Sequence, residues 1–462
     1  MFLNKGVRSQ IISSLIATLG AMVMGTILGW TSPANELLPS GVGFLITVDD
    51  LKSFSSIFGI GAVFGALPAG KLSATIGRRY SMVLFEIQII IGWIFLTMAN
   101  ASWMLLAGRV IQGIGVGALC TIIPTYVAEI SQPHIRGTLG TIFQVYVVVG
   151  ILYSFVVGSV VEYVTFNVLC GIWTLIHVLL TFFIPESPYY FLYLNKDESA
   201  YASMTKLRDG NDADIAGELN EIKREIELQK SNQDTFIKVM ANKVNRKSLL
   251  IGIGCMFFQQ TSGINAIIFY MGYIFNKVGS SITTNTSVIA VGIVQLVMTL
   301  VAMTIVDKAG RRILLIVSAV VMSLSFFGLG LYLHMSHKFN KESIFSWLPL
   351  ILIALYISAF SLGFGPIPWV VMGEIFSNEI KPYGTSLATA VNWFLVFAVT
   401  FLTFEATNSI GFLGLFWMYS FFCALGALFV WYMVPETKNK SLNEIQLKLS
   451  GNDNSPPSTN NV

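Results

Sequence analysis

Eight carboxamide side chains lie inside runs that are otherwise apolar: Gln88, Gln112, Gln144, Gln259, Gln260, Asn265, Gln295 and Asn392. An amide donates and accepts hydrogen bonds at once and carries no charge. Groups of this kind join neighbouring helices in lipid, or hold a neutral solute rich in hydrogen-bonding groups. Gln260 and Asn265 stand five residues apart, which on a straight helix sets them about 140° apart around the axis. Gly263, between them, is the place where a local break would bring both onto one face.

A second pattern is charged. "SATIGRR" at Ser73–Arg79 returns as "VDKAGRR" at Val306–Arg312. The second copy carries Asp307 three residues before its glycine, where the first has Ala74. Paired arginines beside apolar runs are costly unless acids or an aqueous surface hold them. "EISQPHIRGT" (Glu129–Thr138) returns as "EIFSNEIKPYGT" (Glu374–Thr385), each with an acid seven residues before a base. "PES" at Pro185 returns as "PET" at Pro435. Three ordered matches at a near-constant offset describe an internally duplicated chain. A site between two such repeats is the plan of a transporter.

The elements that must position these residues are membrane spans. The chain has 462 residues, 54% hydrophobic and 11% charged, whereas a soluble domain carries about a quarter charged residues. About twelve apolar runs are long enough to cross a bilayer as helices, and they lack the alternation of barrel strands. The expected fold is therefore an all-α polytopic membrane protein with twelve transmembrane helices in two six-helix repeats. The first run is too long for a signal peptide and is read as a retained span. With both termini cytoplasmic, most of the 28 Lys and Arg residues fall on the inner side, as the positive-inside rule requires. The expected division is 1–184 for the first bundle, 185–247 for a cytoplasmic loop, 248–434 for the second bundle and 435–462 for a tail. Within the loop, Ile215, Leu219, Ile222 and Ile226 form one apolar stripe, predicting a helix along the cytoplasmic side of the bundle.

Several functions are excluded. The formal net charge of +3 gives no footprint for nucleic acid. No Ser/His/Asp set, metal-ligand spacing or nucleotide loop is written in the chain, so no enzyme, cofactor or metal is expected. Cys120, Cys170, Cys255 and Cys423 all sit in apolar runs and read as small buried hydrophobes. Of the ionisable groups inside spans, His177 reads as a packing residue and Glu86 as pairing near the cytoplasmic surface.

"GRVIQGIGVG" (Gly108–Gly117), "PESPYYF" (Pro185–Phe191), "QQTSGINAIIFY" (Gln259–Tyr270), "GPIPWVVMGEIF" (Gly365–Phe376) and "PETKNKSLNEI" (Pro435–Ile445) resemble, in order, the sugar porter branch of the major facilitator superfamily. "LGWTSPA" and "FFQQTSGINAIIFY" are similar to the insect facilitative trehalose/glucose transporters. The resemblance implies the major facilitator fold and transport of a neutral sugar, glucose, another hexose or trehalose, across the plasma membrane. It implies sugar contacts from Gln144, Gln259, Gln260, Asn265, Gln295 and Asn392, with Trp369 as an aromatic plate. Trp393 reads as packing. Gln295 departs from the asparagine of many glucose transporters.

By the same resemblance, Arg78, Arg79, Glu129 and Arg136 form one inner gating cluster. Arg311, Arg312, Glu374 and Lys381 form the other, with Asp307 beside it. The acid before the glycine would cap a helix of the opposite half, a contact that Ala74 removes from the first copy. Lys381 stands where arginine is usual. Arg109 is implied to be structural. Gly59, Gly61, Gly65, Gly113 and Gly117 are read as sites of close helix approach, and Gly365, Pro366 and Pro368 as an interruption of the tenth span. Proton-coupled relatives carry a carboxylate in the first span. None is present here, which points to uniport. A proton symporter or a non-transporting sugar sensor of the same fold is the alternative. A lipid bilayer and a sugar are the partners expected, and a monomer suffices.

Overall fold

The computed structural model describes residues 5–209, 212–231, 236–278, 282–335, 347–377 and 379–450, with a few helical side chains, Asp307 among them, outside the description. Among the described residues every regular element is a helix. The first six spans are α1 (Lys5–Gly41), α2 (Val48–Ile76), α3 (Arg78–Thr97), α4 (Ser102–Ile130), α5 (Pro133–Gly158) and α6 (Tyr163–Thr181). Short helices α7 (Pro188–Tyr193), α8 (Asp197–Leu207), α9 (Asp212–Ser231) and α10 (Phe236–Ala241) follow. The second set is α11 (Lys243–Thr261), α12 (Ile264–Val278), α13 (Thr284–Ala309), α14 (Arg311–Met335), α15 (Leu348–Leu362), α16 (Ile367–Ile375) and α17 (Lys381–Met433), before α18 (Leu442–Ser450).

Ten of these stretches are long and apolar enough to cross a membrane. The count of crossings rises to twelve for two reasons. The seventh span is broken into α11 and α12, and α17 reverses at Gly411, whose φ of 69° few other residues adopt. The chain is a multi-pass membrane protein. Large apolar side chains such as Phe183, Leu179, Leu324 and Phe421 are left on its outside, where lipid rather than water is the solvent.

The packing repeats as the sequence does. In the first repeat α1 lies on α5, α2 on α4 and α3 on α6. In the second, α11 lies on α17, α13 on α15 and α14 on α17. The glycines allow backbones to touch. A Cβ on Gly61, Gly65, Gly113 or Gly117 would fall within 2.3 Å of a carbonyl oxygen of the facing helix, so α2 and α4 pack closer than any larger residue permits.

The tenth span is interrupted as expected, α15 ending at Leu362 and α16 starting at Ile367. The loop helices differ in one respect. Ile215, Leu219, Ile222 and Ile226 are buried, but in a small separate core with Leu192, Ala200 and Met204. The stripe of α9 therefore covers α7 and α8, because the apolar residues on those short helices need a cover and the bundle itself is already closed. Arg208 ties this layer down, donating to Glu218 and to the Ile130 carbonyl at the end of α4. The face bearing α7–α10 and α18 is called the basic face below.

Candidate functional site

The centre of the molecule is built on the two broken spans. At Gly263, with φ 87°, α11 stops and α12 starts. The break folds Asn265 back so that its Nδ2 donates to Gln260 Oε1 at 2.6 Å. A straight helix forbids that contact. Tyr356 braces the break by donating to the Ser262 carbonyl at 3.0 Å. The interruption of the tenth span frees backbone carbonyls that a continuous helix would use. Gln259 Nε2 takes two of them, donating to Phe364 O at 2.6 Å and Gly365 O at 2.9 Å. Asn392 of α17 then donates to Gln259 Oε1 at 2.8 Å. Gln259, Gln260, Asn265 and Asn392 thus form two adjoining amide pairs, each residue 9% exposed or less.

The remaining residues expected at the site are placed as follows. Gln295 on α13 is buried, and its Oε1 has no partner. An unpaired buried acceptor is uncommon and is the kind of group a ligand hydroxyl satisfies. Trp369 on α16 is half-buried against the main core. Gln144 on α5 is half-buried, with no bond to these amides. Trp393 is buried, edge-on to Phe58 with ring centres 5.8 Å apart, and its indole N–H lacks a partner.

Arg109 is wholly buried. Among the described residues no carboxylate meets it. It donates to the Phe54 and Ile27 carbonyls, Thr31 Oγ1 and Gln112 Oε1, between the rings of Trp30 and Phe58. These four hydrogen bonds join α1, α2 and α4.

Glu86, expected to pair, is fully buried and bonded to His177 across α3 and α6. Both expectations failed to foresee this partnership, because the two residues are 91 apart in sequence.

At the basic face the two arginine words fold into one structure twice. Arg78 grips Glu129 with two N–H groups, at 3.1 and 2.8 Å. Arg311 meets Glu374 at 3.1 Å. Gly77 and Gly310 have φ of 101° and 94°, which turns the chain sharply into α3 and α14. The first two N–H groups of each helix then point at a carboxylate. Glu186 accepts from Arg78 N and Arg79 N, at 2.9 and 3.1 Å, and from Ser187 N at 2.8 Å. Glu436 accepts from the backbone N–H groups of Arg311, Arg312, Thr437 and Lys438, all within 3.1 Å. A Cβ on either glycine would strike that carboxylate, at 2.4 and 2.7 Å. Anions are favoured at helix starts.

Burial pushes the Glu186 carboxyl above the usual range, against the pull of its N–H donors. Burial opposes the charge of Glu436 too, but its backbone donors outweigh it and hold that carboxyl below the usual range. These two caps were missed at the level of sequence, although the "PES" and "PET" repeat was their signal. Arg79 donates to the Ile184 carbonyl and Arg312 to the Trp431 carbonyl. Arg136 donates to Ser131 O, not to Glu129. Lys381 is exposed. The Asp307 side chain lies outside the described residues.

The two repeats meet at the opposite face. Asn35 donates to the Phe269 carbonyl at 3.1 Å, Gly272 N to Ser32 Oγ at 3.1 Å, and Asn276 to Glu36 Oε1 at 3.1 Å. Lys52 of α2 is paired with Glu405 of α17. These links between the repeats all belong to one face. The gating clusters at the basic face stay within their own repeats. Beside the seam, a cavity of about 210 Å³ is lined by Ser32, Glu36, Phe155, Glu162 and Asn285.

Comparison with known proteins agrees with this architecture. Residues 12–449 match the family described as sugar (and other) transporter. The facilitated trehalose transporter of Polypedilum vanderplanki is 35% identical over 446 residues, which cover 96% of this chain and 88% of that one. That of Anopheles gambiae is 36% identical over 96% of this chain, which spans 56% of its longer relative. Among solved structures, the proton:xylose symporter XylE bound to 6-bromo-6-deoxy-D-glucose superposes with a TM-score of 0.79 at 25% identity, over 96% of this chain and 100% of that one. The inward open conformation of XylE from E. coli gives 0.78 at 26% identity, over 94% and 98%. The duplicated hinges, the two broken spans and these matches lead to one conclusion: the chain belongs to the sugar transporter family of the major facilitator superfamily.

Proposed function

We propose that the protein is a facilitative uniporter for a neutral sugar, a hexose or trehalose, in the plasma membrane. The carrying observation is the group of four buried amides at the two broken spans, together with the buried, unpaired Oε1 of Gln295 on α13. Neutral donors and acceptors match hydroxyls. Trp369 supplies a ring for the C–H face of a sugar, and Gln144 reaches the same space when the repeats rock. A handful of such bonds yields roughly −4 to −6 kcal/mol, hence millimolar to micromolar binding, which suits a carrier that must release.

The basic face is cytoplasmic, with both termini on that side. The conformation is then inward-facing, since the repeats are joined at the outer face and separate at the inner one. Outward opening brings Arg78, Glu129 and Arg136 against Arg311, Glu374 and Lys381, while the hinge caps stay intact. Alternating access of this kind is rigid-body rocking of two repeats around a central site. A monomer completes it.

Proton coupling has one observation in its favour: XylE is described as a proton:xylose symporter. Against it, α1 carries no acid in its core, and Arg109 is held by neutral groups alone. Counterflow of radiolabelled glucose and trehalose in liposomes tests the reading. A transient overshoot that survives a protonophore supports uniport. Uphill accumulation abolished by the protonophore establishes symport, and absence of any overshoot across the sugar panel defeats the transport reading.

A further inference from the structure

The ion pair of Lys52 and Glu405 joins the repeats at the outer rim, 353 residues apart in sequence. It is the ion pair between described residues that crosses from one repeat to the other; the others lie within a repeat or its loop. The lysine is almost buried. Its amine sits 4.0 Å from the centre of the Phe401 ring, one turn before Glu405 on the same helix. The Glu405 side chain is 54% exposed, so the pair is within reach of the outer solution.

Below it, α2 and α17 continue in close contact. Lys52, Ser56 and Gly59 lie on one face of α2. Gly59 presses on the backbone of Phe397 and the Trp393 carbonyl, where a Cβ would come within 2.6 Å. Trp393 adjoins Asn392, which holds Gln259. One seam therefore runs from the surface pair to the amide site.

We propose that Lys52 and Glu405 form the outer latch of the transport cycle, positioning residues that favour the closed outer seam and so set the balance between inward- and outward-facing states. The pair exists only while the seam is shut. Outward opening parts α2 from α17 and separates a nearly buried ammonium from the one carboxylate it meets among the described residues. An interaction made in one state and lost in the other shifts the equilibrium by its own differential free energy. This rests on the transporter reading above for its meaning, but its test needs no sugar.

Ser56, 1% exposed and one turn below Lys52, reports on the seam. A Ser56→Cys chain in sealed right-side-out vesicles is treated with a membrane-impermeant maleimide, the parent chain being the control. Lys52→Glu and Glu405→Lys are each expected to speed labelling about 3- to 10-fold, a partly exposed pair with added repulsion. The exchanged double variant, Lys52→Glu with Glu405→Lys, is expected to return to within about 2-fold of the parent. If reversal disturbs folding, Lys52→Met and Glu405→Gln give the same readout without repulsion. Parental labelling in the single variants, or a double variant as fast as the singles, overturns the latch. Failure of the sugar reading shows instead as missing counterflow with the labelling pattern intact.

Discussion

Replacement of Gly263 by alanine isolates what the break in the seventh span does. Two costs arise. Gly263 has φ 87°, and a left-handed residue with a Cβ costs about 1–2 kcal/mol. The new methyl would also lie 2.9 to 3.0 Å from three ring atoms of Tyr419. That ring cannot turn away, because its hydroxyl shares a 2.7 Å bond with Thr403 and its face lies against Phe326. Overpacking of a fixed ring adds about 1–3 kcal/mol. The sum, about 2–5 kcal/mol, is relieved if the chain rewinds towards a continuous helix. Rewinding carries Asn265 about 140° from Gln260 and dissolves the 2.6 Å bond between them.

Gly263→Ala is therefore expected to raise the half-saturation concentration for sugar about 2- to 10-fold, the equivalent of one hydrogen bond. Asn265→Ala should give a similar rise by itself. The two changes remove the same contact, so the double variant should exceed either single by less than about 2-fold. Counterflow in liposomes over a range of sugar concentrations measures all three. Unchanged half-saturation in Gly263→Ala, or full additivity in the double variant, would refute the link between the break and the site.

The two hinge caps should respond to pH with opposite sign. Glu436 is held below the usual carboxylate range, so its stabilisation is present above about pH 4.3 and is lost as pH falls through its lowered value. Melting curves of Glu436→Gln and the parent should thus differ at pH 7 and converge in acid. Glu186 is raised by burial, so Glu186→Gln should change the melting temperature most in acid, and that difference should shift as pH rises from the usual carboxylate value through the raised one, then level off. Glu86→Ala leaves His177 without its partner in an apolar interior and should destabilise by about 3–5 kcal/mol. Glu86→Leu with His177→Leu should recover most of that loss in thermal unfolding. Gln295→Asn shortens the side chain whose Oε1 lacks a partner. It should change the order of preference among hexoses and trehalose, and an identical sugar panel would show that Gln295 does not shape the pocket.

Local features were legible in the sequence where one segment carried all the information. Twelve runs gave the spans because lipid demands an apolar length. Gly263 gave the break because the residues on both sides of it already conflicted with a straight helix. Gly365, Pro366 and Pro368 did the same for the tenth span. The "GRR" copies marked the hinges. Partnerships between distant segments were hidden. Glu86 and His177 give no periodic signal, nor do Lys52 and Glu405. Glu186 and Glu436 stood in a repeat that was visible, but their role depends on helix starts that only the folded chain brings to them. Arg136 was grouped with Glu129 by resemblance, yet in the fold it caps its own turn at Ser131. In the inward-facing arrangement proposed, that region is exposed rather than docked.

Each hinge cap is supplied from its own repeat, Glu186 for the first and Glu436 for the second. The hinge of the first repeat is complete once the chain has been made as far as Ser187, before the second repeat exists. A nascent chain can thus finish one working half in the membrane while the other is still being synthesised. The arginines, whose charges would be most harmful if stranded in lipid, are tied early and by neighbours close in time. Duplication of such a unit needs no new counter-charge to be invented. A tandem copy brings its own, and selection is left with the simpler task of fitting two finished surfaces together.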